Sequence, residues 1–269
     1  MNSKNNIVKS NYHTHTYLCN HAVGNVEDYV KKAIELGFSN LGMSDHAPFI
    51  FLKDRSVRMG IEDYPIYLKD LEDAIRKYSN QIKIYKGLEI EYFSSQKNHY
   101  KHLLETLDYL TLGQHYVEIN NRLMSVYDVR TLDQMKAYVK TVIEAIETGY
   151  FKFICHPDIF LLNLEEINPN DEEEILYLSK LLIEAAEKNG VALEINANGI
   201  RRGKLIVKGE VRYQYPRKEF WELVSKSKVK VIISSDAHHP DLLFDEAVIE
   251  AYNFARHLGI EVEEELVID

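Results

Sequence analysis

Apolar residues recur along this chain with two alternating periods. Short runs rich in Ile, Val, Leu, Tyr and Phe, of the kind that form buried strands, occupy about residues 8–13, 40–45, 82–90, 108–115, 151–155, 191–196 and 229–235. Between them the period lengthens to that of a helix. In VEDYVKKAIELGF, Val26, Tyr29, Val30, Ala33 and Leu36 fall at helical spacing, Asn25 can cap the start and Gly37 can end the helix. Similar patterns cover about 65–79, 97–106, 131–148, 171–189, 217–227 and 241–258. Strand–helix units repeated in this way predict a parallel sheet with helices outside it. No Pro/Gly/Ser-rich linker separates them, so one domain over residues 1–269 is expected. Seven units without a linker favour a closed or nearly closed α/β barrel over an open sheet.

Composition changes this picture little, but it excludes several partners. With 45% hydrophobic residues the chain has ample material for a core. A net charge of −10 argues against broad attraction to nucleic acid or to an anionic membrane, both of which need a basic face. No apolar run approaches the roughly 20 residues of a membrane span, and the opening MNSKNNIVKS lacks the apolar core of a signal peptide, so a cytoplasmic location is expected. Cys19 and Cys155 are too few for a disulfide framework and are expected to be thiols.

Chemistry gathers at the strand ends. Ligand sites in parallel α/β folds lie at the carboxyl ends of the strands, where loops vary without disturbing the core. The first strand ends in His13 and His15, with His21 in the loop beyond, and the second ends in His46. Glu89 belongs to the third, His115 ends the fourth and His156 the fifth; the sixth carries Glu194 and leads to Arg201, and the seventh carries Asp236 and His238. Of the 11 histidines, only His99, His102, His239 and His257 fall elsewhere. Imidazoles with carboxylates are the ligand set of zinc, iron or manganese rather than calcium or magnesium. Their number exceeds the three protein ligands of a single catalytic zinc, which points to a multinuclear site.

Plainer readings accompany several of these residues. Any one histidine could be structural, although two at positions i and i+2 of a strand face the same way and can reach one ion. Cys19 reads first as a small buried thiol. Asp45 is either a partner behind a ligand or a loop cap, and Glu91 either an acid behind the site or a rim charge. Glu194 could pair with a cation inside the barrel and is left out of the ligand set. The acidic run at 165–174 reads as a solvated loop and helix start, where negative charge suits the helix dipole. Arg201 and Arg202 follow Gly199 at the mouth, where guanidinium can pair with phosphate; Arg201 is favoured for that role, with Tyr215 as a further contact.

Taken together, HTHT with the downstream CNH, SDHAPF, KGLEIEY, GQHY, CHPD, EINANGIRRG and SSDAH resemble the PHP (polymerase and histidinol phosphatase) family, specifically its monofunctional histidinol-phosphate phosphatases. The motifs span residues 11–241. The resemblance implies a distorted (β/α)7 barrel with three divalent ions, zinc, iron or manganese. It implies one ion on His13, His15, Glu89 and Asp236, a second sharing Glu89 with His115 and His156, and a third on His21, His46 and His238. It also aligns Arg201 with a phosphate-binding arginine, and it marks Asn11 as a departure, since many members carry Asp there. The implied reaction is hydrolysis of L-histidinol phosphate to L-histidinol and phosphate in histidine biosynthesis, with a metal-bridging hydroxide as nucleophile and Asp236 or His238 among the proton donors. Other phosphoesterases of the same fold, an amidohydrolase and a non-catalytic metal binder are the alternatives; the arginine loop speaks for phosphate.

Overall fold

The computed structural model describes residues 10–52, 54–207 and 209–268, so positions 8 and 9 of the expected first strand lie outside it. The elements run β1 (Ser10–Asn11), α1 (Val26–Leu36), β2 (Asn40–Met43), α2 (Tyr64–Tyr78), β3 (Lys83–Ile90), α3 (Lys97–Leu103) and β4 (Tyr109–Leu112). A hairpin of β5 (Tyr116–Ile119) and β6 (Arg122–Ser125) follows, then α4 (Leu132–Glu147), β7 (Phe151–Ile154), α5 (Glu172–Asn189), β8 (Ala192–Asn196) and the short α6 (Ala197–Arg201). A second hairpin, β9 (Lys204–Val207) and β10 (Glu210–Tyr213), precedes α7 (Lys218–Val224), β11 (Val231–Ser234) and α8 (Glu246–His257).

Seven strands form one parallel sheet in the order β1-β2-β3-β4-β7-β8-β11, each the neighbour of the next along the chain apart from the two excursions. The ends approach one another: Thr14 and Ala237 make a parallel bridge, and the His15 amide donates to the Ala237 carbonyl at 3.0 Å. The sheet is thus a nearly closed barrel. Asn11 fastens the seam with both ends of its amide. Its Oδ1 accepts from the Ser235 amide at 2.9 Å, and its Nδ2 donates to Ser235 Oγ at 2.8 Å. An aspartate could accept there but not donate.

Period-two alternation sorts the strand residues into two cores. Leu88, Ile90, Leu110, Leu112, Ile154, Leu193, Ile195, Val231 and Ile233 point outward and pack with the helices in one large apolar cluster. Tyr85, Tyr109, Phe153, Ala192 and Ile232 point inward, join Tyr12 and fill the base of the barrel. Tyr109 fits because Gly42 and Gly87 lie beneath it; a Cβ on Gly87 would come within 2.3 Å of its ring. Two or four residues further along the same inward faces come Glu89, Cys155, Glu194 and, just past β11, Asp236, so the polar layer sits directly above the apolar plug.

The helices begin and end where their caps stand. Asn25 and Asp28 form a reciprocal capping box on α1, which Gly37 closes at φ 76. Thr131 and Gln134 do the same for α4. Glu172, Glu173 and Glu174 occupy the first turn of α5, as the helix dipole favours. Glu165, from the same acidic run, departs from the solvated reading: it pairs at 3.0 Å with Arg217, whose side chain is buried. Among the described residues no helix is long and apolar enough to cross a membrane.

Candidate active site

Glu89, on the inward face of β3, stands at the centre of the polar layer. Its Oε2 lies 2.9 Å from His46 Nδ1, 3.3 Å from His13 Nε2 and 3.6 Å from His15 Nε2. Its Oε1 lies 3.1 Å from His156 Nε2 and 3.5 Å from His115 Nε2. Room for this carboxylate comes from Gly113 at the end of β4, where a Cβ would stand 2.0 Å from Oε1. Asp236 closes the other side, with Oδ1 2.9 Å from His15 Nε2 and 3.6 Å from His13 Nε2. At the rim His21 and His238 face each other through Nε2 at 2.8 Å, and His15 stacks between His46 and His238 at centroid distances of 4.3 and 4.1 Å. The nine expected ligands are therefore assembled at one mouth.

Five of the seven rings are aimed from behind, while His46 turns its Nδ1 toward Glu89 and His156 Nδ1 is buried without a hydrogen-bond partner among the described residues. His13 Nδ1 donates to Glu194 at 2.8 Å, and His115 Nδ1 donates to Glu91 at 3.1 Å. His15 Nδ1 lies 3.5 Å from Asp45, whose other oxygen accepts from the Thr16 amide at 3.0 Å; Asp45 is both partner and loop cap. His21 Nδ1 donates to the Cys19 carbonyl and His238 Nδ1 to the Asp236 carbonyl. With Nδ1 protonated, Nε2 presents its lone pair to the mouth. His156 and Asp236 adopt φ of 35° and 47°, the left-handed region that costs non-glycine residues about 1–3 kcal/mol. Both are among the expected ligands. Cys19 is buried, and burial pushes its thiol pKa up, in keeping with an inert structural residue.

The electrostatics of this layer call for cations. Burial opposes ionisation of Glu89, yet His46, His13 and His115 around it hold its carboxyl well below the usual range. Asp236 is likewise held low, against its burial, by His13 and His15. Burial also opposes charge on His15, but its contacts to Asp236 and Asp45 raise it to about 9. His46 and His238, by contrast, are pushed down by burial and by His15 to about 4 and about 3, so they stand neutral as metal ligands must. The buried carboxylates thus draw positive charge from imidazoles. Meanwhile His15 Nε2 and Glu89 Oε2 are buried without a hydrogen-bond partner despite contacts as short as 2.9 Å. Atoms that converge without aligned hydrogen bonds, at the separations that ligands of one ion adopt, fit a metal centre better than a hydrogen-bond network.

A cleft of about 200 Å³ opens over this layer, bounded by Glu89, His156, Asp236, Asn198, Tyr215 and Arg202. Arg201 departs from expectation. Its guanidinium is bound to Asp245 at 2.7 Å and to the carbonyls of Ser235 and Leu242 at 2.9 and 3.2 Å, which ties α6 to the segment before α8 and commits four of its five donors. Arg202 is the arginine on the cleft wall. It lies over the rings of Tyr127 and Tyr215 at 5.2 and 5.8 Å and has no ion-pair partner among the described residues. Tyr215 lines the cleft as expected, packed edge-on to His156. Sequence reasoning missed Tyr127, Asn198 and the aiming role of Glu194. The inward register of Glu194, two residues from Asn196 at a strand end, was the available signal.

A nearly closed parallel barrel with imidazoles and carboxylates converging at its carboxyl mouth defines the chain as a metallohydrolase of the α/β-barrel class. Within that class it belongs to the PHP domain family, whose model matches residues 11–198. A Deinococcus radiodurans protein named probable histidinol-phosphatase is 26% identical over 235 residues, covering 85% of each chain. A solved Listeria monocytogenes structure shares the fold at a TM-score of 0.71 and 22% identity, over 88% of this chain and 98% of that one. So does the histidinol phosphate phosphatase of Lactococcus lactis, solved with zinc, L-histidinol and phosphate, at a TM-score of 0.65, 16% identity and 95% of both chains.

Proposed function

We propose that this chain is a metal-dependent histidinol-phosphatase, hydrolysing L-histidinol phosphate to L-histidinol and phosphate in histidine biosynthesis. The observation that carries the reading is Glu89, one carboxylate shared by five histidines beneath a cleft whose wall carries an arginine, Arg202, without an ion-pair partner among the described residues. The names of the Deinococcus and Lactococcus proteins, and the zinc, histidinol and phosphate of the latter, support the choice of substrate. Three divalent ions, of zinc, iron or manganese, would be held by His13, His15, Glu89 and Asp236, by Glu89, His115 and His156, and by His21, His46 and His238. When bound, such ions supply a water that is nucleophilic at neutral pH and positive charge for the phosphoryl oxygens.

The remaining work falls to the chain. Arg202, rather than Arg201, would grip the phosphoryl oxygens, because a guanidinium free of carboxylate partners can bind them in two places. Tyr127 and Tyr215 hold it in position by stacking. Asp236 and His238 stand 3.4 Å apart on the cleft wall, but both are held in their basic forms, so the leaving alcohol oxygen would take its proton from a water in the cleft. Asp236 and His238 follow closely on β11 and Arg202 directly on α6, so short connections to regular elements would limit the reorganisation needed at the transition state.

The test is phosphate release from a panel containing L-histidinol phosphate, sugar phosphates, nucleotides and a phosphotyrosine peptide. Histidinol phosphate is expected to be turned over far faster than the rest; equal or negligible rates would refute the substrate. His13→Ala and Glu89→Ala should lose bound metal and turnover together, whereas retention of either property by both variants would refute the site.

A further inference from the structure

Beside the metal cleft lies a second, larger one of about 420 Å³, joined to the first through His21, His46, His115, Tyr127 and Arg202, which line both. Its outer wall comes from the segment after β2 and from the start of β5: Asp54, Val57, Arg58 and Tyr116. The charges on that wall do not cancel. Arg58 is buried and bound to both oxygens of Glu91, at 3.0 and 2.8 Å, so that pair is neutral as a unit. Asp54 is the one acid lining this cleft, and among the described residues it has no ion-pair partner. Its oxygens accept from Ser56 Oγ at 2.6 Å, from the Ser56 amide at 3.3 Å and from Tyr116 Oη at 3.2 Å. A carboxylate offers about four acceptor positions, so one remains open. Three hydrogen bonds also fix its direction.

We propose that this second cleft receives the alcohol part of the phosphomonoester and that Asp54 binds an ammonium group on it, making Asp54 the residue that selects amine-bearing substrates. The inference rests on the phosphatase reading above and deepens it. Phosphate bound beside Arg202 leaves the ester's organic part only the adjoining space, whose walls combine tyrosine rings with one carboxylate, Asp54, that has no ion-pair partner among the described residues. Aromatic faces at Tyr116 and Tyr127 suit a flat or apolar substituent, and Asp54 suits a cation. Hydrogen bonds between charged groups contribute enough that losing one lowers affinity by about tenfold or more.

The experiment uses the metal-replete protein and two matched pairs of phosphomonoesters. One pair is L-histidinol phosphate and its deaminated analogue, which keeps the imidazole. The other is a short aminoalkyl phosphate and its amine-free counterpart. For Asp54→Asn, with metal content equal to the wild type, the preference in kcat/KM for the amine-bearing member should fall about tenfold or more, chiefly through KM. Tyr116→Phe, which frees Asp54 without removing its charge, should lower the preference in the same direction by less. An unchanged preference in Asp54→Asn, or a wild-type protein without any preference for the amine, overturns the proposal. If the aminoalkyl ester is favoured and loses its advantage in Asp54→Asn while histidinol phosphate is not hydrolysed, the Asp54 assignment stands and the named substrate fails.

Discussion

Gly113 carries a prediction that no ligand substitution can make, because it alters the site without removing a donor. The ideal Cβ of an alanine there would sit 2.0 Å from Glu89 Oε1 and 2.5 Å from its carboxyl carbon. Ordinary van der Waals contact begins well above 3 Å, so the carboxylate must retreat by more than an ångström. Glu89 is a flexible side chain in principle, yet here it is enclosed by His13, His15, His46, His115 and His156, all within 3.6 Å of its oxygens. The retreat therefore separates it from some of them. A misplacement of this size costs about 10²-fold in turnover, and a bridging carboxylate drawn from its partners lowers metal affinity as well. Gly113→Ala should thus fold normally by circular dichroism, hold fewer ions per chain by elemental analysis and lose about 10²-fold in kcat/KM. A variant with full metal content and activity within a few-fold of the wild type would refute the central position of Glu89.

Other substitutions separate roles that the sequence leaves together. Arg202→Ala should raise KM for a phosphomonoester by about tenfold or more with little effect on stability, whereas Arg201→Ala should lower unfolding free energy by about 1–3 kcal/mol by releasing Asp245 and two carbonyls; the opposite pattern in kinetics and denaturant titration would return the phosphate to Arg201. Glu194→Gln keeps the volume behind His13 but removes the charge that aims its ring, so metal affinity or activity should fall about 10–100-fold; unchanged affinity in a chelator competition would show that the contact is incidental. Asn11→Asp should destabilise the protein by about 1–3 kcal/mol, because the donor to Ser235 is lost inside the barrel seam. Equal denaturation midpoints for the two proteins would contradict that account.

The barrel was readable because its signal is repeated. Each strand is a short apolar run flanked by helical periodicity, and all seven sheet strands fall within the expected ranges apart from positions 8 and 9. The convergence of histidines and carboxylates was readable for a related reason: strand ends meet in any such barrel, so residues far apart in sequence come together without knowledge of the packing. The two hairpins were missed, since β5, β6, β9 and β10 are partly exposed and lack a buried run. A turn signal did exist in Asn120–Asn121, whose φ values of 52° and 59° suit a tight hairpin. The arginine pair was not readable at all. Arg201 and Arg202 are adjacent at the end of α6, where one step turns a side chain by about 100°, and only packing decides which faces Asp245 and which the cleft. Glu91, read as either an acid behind the site or a rim charge, and Glu194, read as a carboxylate that could pair inside the barrel, were ambiguous because the strand face alone does not say which neighbour each carboxylate meets.

The central claim is that the Glu89-centred layer is a metal site whose purpose is phosphomonoester hydrolysis. Its most direct test is one preparation followed through metal removal and return, with ions per chain and phosphate release from L-histidinol phosphate measured at each stage. Turnover should vanish as the ions leave and recover with them when zinc, iron or manganese is restored. Turnover that persists in metal-free protein, or fully reloaded protein that releases no phosphate, would contradict it.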